Sequence, residues 1–142
     1  MPKPLALVTN ALVFAGSPAI TALQQAGLQV AAHDLSFATA HGRESYQKAH
    51  PEVVVLQAQE PDEVVESAWQ IAKRLDVLVS NDAFHPVQGP IENAELADLR
   101  ATLERLVVFP FALARAAIPR LKERPGARVV LVTSNRNRLP LA

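Results

Sequence analysis

The stretch LALVTNALVFAGSPAITAL, residues 5–23, joins an apolar run to an amphipathic one through a turn that holds Thr9, Phe14 and Gly16. A strand, a glycine-containing turn and a helix, in that order, open a dinucleotide-binding domain, where glycines let the backbone close on a pyrophosphate. This turn keeps one glycine, Gly16, and places a bulky aromatic two positions before it. A side chain at such a point removes the close backbone approach that a phosphate requires. Taken by residue type alone, Phe14 is a core aromatic that packs the turn.

Other polar residues close later apolar runs. Asp34 follows LQVAAH, Ser80-Asn81-Asp82 ends DVLVSND, and Thr133-Ser134 ends RVVLVTS. By type alone Asp34 is a turn-forming acid, Asn81 and Asp82 are loop hydrogen-bonders, and Ser134 is a turn or cap residue. His33, His41, His50 and His85 lack metal-ligand spacing and a partnered acid, so each reads as a surface or strand-end residue and no metal site is expected. The absence of cysteine removes thiol nucleophiles, thiolate metal sites and disulfides. Arg136 and Arg138 read as a solvated loop, and the single tyrosine, Tyr46, lies on a peripheral stretch.

The elements that must hold these residues alternate along the chain. Strands are expected at 5–9, 28–32, 52–56, 76–81 and 128–134. Ser17-Pro18 offers an N-cap and a first-turn proline for a helix with Ala19, Ile20, Leu23 and Ala26 on its apolar face, and Gly27 ends it. A weaker helical stretch covers 38–49. Asp62 and Glu63 open a helix that closes with Lys73 and Arg74, matching the helix dipole, with Val64, Val65, Ala68, Trp69, Ala72 and Leu75 as its core face. A long helix is expected over 93–123, kinked by Pro110, with Leu99, Leu103, Leu106, Val107, Phe111, Ala114, Ile118 and Leu121 at helical spacing. Strands apolar throughout and separated by helices mean a parallel sheet covered on both faces, a Rossmann-like doubly wound α/β fold. Such a sheet ordinarily has six or more strands, so the 142 residues read as a single domain truncated after about the fifth.

Bulk properties narrow the functional classes. Lysine plus arginine equals aspartate plus glutamate at 14 each, and no basic stripe carries interleaved aromatics, so neither nucleic acid nor a membrane surface is an expected partner. No apolar run approaches the roughly 18 residues needed to span a bilayer. Met1-Pro2-Lys3-Pro4 runs straight into the first strand, so no signal peptide is expected and a cytoplasmic location follows.

With LALVTNALVFAG, HDLSF, DVLVSND, FPFALARAAIP and VVLVTS in this order, the chain resembles a short-chain dehydrogenase/reductase, and more narrowly the halohydrin dehalogenase branch of that superfamily. The resemblance covers all 142 residues and corresponds to the first half or so of such an enzyme. Ordinary members carry T-G-x-x-x-G-x-G. Halohydrin dehalogenases carry a threonine, four residues, an aromatic, one residue and a glycine, which is the spacing of Thr9, Phe14 and Gly16.

The resemblance implies that Phe14 and its neighbours Thr9 and Gly16 fill the space where nicotinamide would lie, and that a halide or other small anion takes the vacated pocket beside Asn81 and Asp82. Asp34 then occupies the ribose-binding position as a vestige, and no cofactor is expected. Leu106 stands where cofactor-using members place the asparagine of their proton-relay tetrad. Ser134 matches the catalytic serine. Its partner tyrosine would fall thirteen positions later and an arginine four beyond that, past Ala142, so the isolated chain is expected to be inactive. The implied reaction converts a vicinal haloalcohol to an epoxide and halide, with epoxide opening by small anions in reverse, in a homo-oligomer, a homotetramer, packed partly through the long helix. Two alternatives are an NAD(P)-dependent oxidoreductase with an unusual glycine loop and a non-catalytic, truncated relative.

Overall fold

The computed structural model describes residues 2–82 and 89–133. Its five strands are β1 (Leu5–Val8), β2 (Gln29–Ala32), β3 (Val53–Val55), β4 (Val77–Asn81) and β5 (Arg128–Val132). They form one parallel sheet in the order β3-β2-β1-β4-β5. The helices are α1 (Gly16–Gln25), α2 (Ala40–Ala49), α3 (Pro61–Ala72), α4 (Leu96–Leu103) and α5 (Phe109–Leu121). This is the expected doubly wound α/β arrangement.

Both faces of the sheet are covered, which is why the inner strands are apolar along most of their length. On one face Leu5, Leu7, Ala31 and Leu78 pack against Val64, Val65 and Ala68 of α3 and Leu113, Ala117 and Leu121 of α5. On the other, Val8, Val30, Ala32 and Val79 meet Ile20 of α1 and the Phe37–Tyr46 pair. Tyr46 is therefore a core residue, and burial raises its phenol pKa. Among the described residues β3 and β5 are the sheet's edges, and on β5 Val129, Val130 and Leu131 are between 41% and 60% exposed.

Three expectations are corrected. First, Ser17 does not cap α1. The helix begins at Gly16, its N-cap is Ala15, and no side chain of its own caps it. Second, the long helix is not continuous over 93–123. A short 3₁₀ turn at Ile91–Asn93 precedes α4, and a π-helical turn at Glu104–Val108 joins α4 to α5. Pro110 has no N–H to donate, and the π-helical turn lies just ahead of it, where the i→i−4 ladder is interrupted. Third, the core face of α5 is Leu113, Ala117 and Leu121, whereas Leu99, Leu103, Leu106, Val107, Phe111 and Ile118 are 41% to 68% exposed. A π turn adds a residue to one turn of helix, so the apolar repeat changes face across it.

The end of α1 follows the sequence reading. Gly27 takes φ +84°, its N–H bonds Gln24 O at 2.9 Å, and Leu28 N–H bonds Leu23 O at 3.0 Å, closing the helix with a Schellman pair. α3 carries Asp62 and Glu63 in its first turn but no base in its last. Lys73 instead turns left-handed as the C-cap, and Arg74 swings onto Asp76, whose carboxylate also accepts the Leu5 N–H at 2.8 Å. The arginine holds the Asp76 carboxyl below the usual carboxylate range.

Two glycines predict contrasting costs. A Cβ on Gly16 would stand 2.4 Å from Ala11 O and 2.7 Å from Asn10 O, whereas one on Gly27 meets nothing within 4 Å. Gly27→Ala is therefore expected to cost about 1 kcal/mol through its positive φ alone. Gly16→Ala should cost about 3 kcal/mol, because backbone must move. Urea unfolding of the two variants compares them, and equal midpoints would contradict the close approach at Gly16.

Candidate active site

Strand order reverses between β1 and β4, the switch point at which an open α/β sheet binds ligands beyond its carboxyl ends. The turn after β1, residues 9–15, lies there beside the end of β4. Thr9 is fully buried; its Oγ1 accepts the Asn81 N–H at 3.1 Å. Asn81, also fully buried, donates Nδ2 to Asn10 O at 2.9 Å and to Val13 O at 2.8 Å, and its Oδ1 accepts the Ala15 N–H at 3.3 Å. The rest of the turn is fixed from β2. Ala11 N–H bonds His33 O at 3.0 Å, and Leu12 N–H bonds Asp34 Oδ2 at 3.0 Å.

Two residues of this turn are left-handed, Asn10 at φ 50° and Phe14 at φ 47°. They sit where T-G-x-x-x-G-x-G has its first two glycines, so the glycine backbone persists with side chains attached. Asparagine tolerates that region. A phenylalanine there is held against a strain of about 1 kcal/mol or more. The Phe14 ring is 61% exposed and stands away from the core, so it is not the turn-packing core aromatic that its residue type alone suggests.

Asp82 completes the cluster. Asn10 Nδ2 donates to its Oδ1 at 3.1 Å, and Ser80 Oγ bonds its other oxygen. Burial pushes the Asp82 carboxyl up, and these two donors only partly offset that. Thr9, Phe14, Gly16, Asn81 and Asp82 are thus assembled at one place, whereas Ser134 lies outside the described residues, as do His85, Arg136 and Arg138. Asp34 is 7% exposed, and its Oδ1 accepts Ser36 N–H at 3.0 Å and Ser36 Oγ at 2.8 Å. The sequence reading does not single out Asn10; its one legible mark is the Thr-Asn step where the ordinary motif has Thr-Gly.

His33 departs from its surface reading. It is 1% exposed, stacks on Phe109 with ring centroids 5.5 Å apart, and among the described residues neither ring nitrogen completes a hydrogen bond. Burial lowers its pKa, outweighing Asp34 and the nearby Gln59 amide, which favour the charged ring.

The chain belongs to the short-chain dehydrogenase/reductase family. A family model described as enoyl-(acyl carrier protein) reductase matches residues 16–140. Within the family, the solved structures similar to it include two dehalogenases. One, a dehalogenation enzyme, is 33% identical with a TM-score of 0.88, covering 99% of this chain and 58% of its own. The other, a halohydrin dehalogenase bound to ethyl (2S)-oxiran-2-ylacetate, is also 33% identical, with a TM-score of 0.90, covering 96% and 55%. A short-chain dehydrogenase from Streptomyces avermitilis is 26% identical, with a TM-score of 0.80 over 99% of this chain and 52% of that one. The human dehydrogenase/reductase SDR family member 4 is 31% identical over 80 residues, 56% of this chain and 29% of the relative. The chain therefore spans less than two thirds of these proteins.

The nicotinamide dinucleotide implied by the wider family does not fit this turn. The amides of Leu12, Ala15 and Gly16 are committed to Asp34, Asn81 and Val13, and each Asp34 oxygen accepts a hydrogen bond from the protein itself. Two side chains stand where a pyrophosphate needs bare backbone.

His33 sets a pH dependence. Its folded pKa lies below the ordinary 6.5, so the unfolded chain takes up a proton that the folded one resists. Stability contributed by the neutral ring is present above that value and is lost as pH falls through it. Thermal melts between about pH 7.5 and 5.5 should fall with acid, and His33→Gln should flatten that limb. An unchanged slope in the variant would contradict the buried neutral ring.

Proposed function

We propose that this chain provides the anion-facing half of a halohydrin dehalogenase, which turns a vicinal haloalcohol into an epoxide and a free halide without a cofactor. The observation that carries the reading is the left-handed Phe14 in a turn whose amides and neighbouring acid are already engaged. Phe14, flanked by Thr9 and Gly16, forms one wall of a pocket for a halide or small anion. Asn81 holds that wall, and Asp82 lies at its edge.

The chemistry needs no hydride. In this reading Ser134 would hold the substrate hydroxyl together with the tyrosine that the family motif places thirteen positions on, past Ala142. An arginine beside the tyrosine favours tyrosinate, because a phenol of pKa about 10 ionises near neutrality only beside a cation. The tyrosinate takes the hydroxyl proton. The alkoxide oxygen bonds the neighbouring carbon as the carbon–halogen bond breaks, and the halide leaves with its electron pair. Holding both reacting groups in one substrate supplies proximity. Leu106, in place of a relay asparagine, cannot hold a water for proton transfer to a nicotinamide site. The exposed apolar residues of α4 and α5 offer a face for a second copy of the chain, making a homo-oligomer.

Chloride release from a vicinal chloroalcohol, followed with added bromide, tests this in protein that carries the tyrosine and arginine. Phe14→Ala should weaken halide inhibition about tenfold. Unchanged inhibition would remove the role given to the ring, and NADH or NADPH binding in the micromolar range would favour the oxidoreductase reading instead.

A further inference from the structure

Phe14 holds a backbone conformation that its side chain disfavours, so some interaction must impose it. The peptide groups on either side of Phe14 are both gripped by one side chain. Asn81 Nδ2 donates to Val13 O at 2.8 Å, and Asn81 Oδ1 accepts Ala15 N–H at 3.3 Å. The second Nδ2 proton goes to Asn10 O at 2.9 Å, at the other left-handed residue of the turn. The carboxamide is fully buried, so these bonds face no competition from water. Its own backbone is pinned through Thr9 Oγ1 at 3.1 Å. Of the other described side chains that bond the turn from outside it, Asp34 reaches the Leu12 N–H and Asp82 the Asn10 side chain, and neither meets the peptides around Phe14.

We propose that Asn81 is a positioning residue that fixes where the Phe14 ring stands and thereby which small anions the pocket admits. This rests on the dehalogenase reading for its anion but not for its geometry. A carboxamide is required because the turn presents two carbonyls and one N–H, which takes two donors and an acceptor on one planar group. Aspartate would set an oxygen against Asn10 O and Val13 O. Serine is too short to reach across the turn. With the clamp released, Phe14 relaxes toward negative φ and its ring swings, which changes the pocket's width more than its chemistry.

A double-mutant cycle on thermal stability tests the clamp without any assay of activity. Phe14→Gly removes the strain and should raise Tm by about 3 °C. Asn81→Asp should lower Tm by about 10 °C alone and by about 3 °C more in the Phe14→Gly background, because only with Phe14 present does release of the clamp also relieve strain. If Asn81→Asp fails to fold, Asn81→Ser, which also breaks the bonds across Phe14, carries the same cycle. Equal losses in the two backgrounds, or a smaller loss with Phe14→Gly, would mean that Asn81 is ordinary strand-end packing and would overturn the proposal. The anion side is read from inhibition constants. Asn81→Ser should change the ratio of chloride to bromide inhibition at least threefold, a shift that general loss of stability does not produce. A halide-sensitive wild type with an unchanged ratio in the variant would overturn the selectivity role and leave the dehalogenase reading intact. A wild type without halide-sensitive epoxide formation would count against the dehalogenase reading itself, and the stability cycle would then decide the clamp alone.

Discussion

Burying a carboxamide away from water costs several kcal/mol unless its donors and acceptor are all engaged, and Asn81 meets that demand only through the turn after β1. The constraint runs in two directions. The end of β4 is stable there because the turn satisfies it, and the turn keeps its left-handed residues because the end of β4 grips them. Thr9 ties the two strands together at the same level, and Asp34 closes the outer side. The region where a nucleotide fold is ordinarily most open is, in this chain, hydrogen-bonded to itself.

That closure ties the fold to the chemistry proposed for it. A dinucleotide site keeps amides and an acid free for its ligand, and its glycines take positive φ without strain. Here the same peptide path is retained, with Asn10 and Phe14 carrying the positive φ angles, but the groups that would meet a pyrophosphate and a ribose serve the protein. What remains to face a ligand is an exposed aromatic ring beside a partly buried acid, Asp82.

The sheet is legible in the sequence because short, largely apolar runs such as LALV, VVV and VLV alternate with amphipathic helical stretches, the pattern of parallel strands covered on both faces. The turn is legible from Thr9, Phe14 and Gly16, though not its internal bonding, since the groups that meet there are up to 72 residues apart. The start of α1 is not legible, because the side-chain oxygen that meets the residue ahead of its first turn comes from Asn81 on β4 and not from Ser17. The inward face of the last helix escapes the sequence for a different reason. Residues 93–123 carry apolar side chains on more than one stripe, and periodicity alone does not say which stripe meets the sheet. The π turn at Glu104–Val108 then slips the repeat, so Leu99 and Leu103 before it do not share a face with Leu113 and Ala117 after it. His33 looks like an ordinary strand-end residue, and only the packing of Phe109 across it makes it part of the interior.

The long separation between Asn81 and the turn it grips also orders events in time. β1, the turn and α1 are neighbours along the chain, but left to themselves they have no reason to hold Phe14 left-handed. The bonds that do so span 66 to 71 residues and exist only once β4 has crossed the sheet to lie beside β1. Contacts of such separation close late, after local helices and the β1–β2 pair can already have formed. The left-handed turn is therefore among the last of the described features to take shape, and a chain caught before β4 docks would have its first strands without that turn.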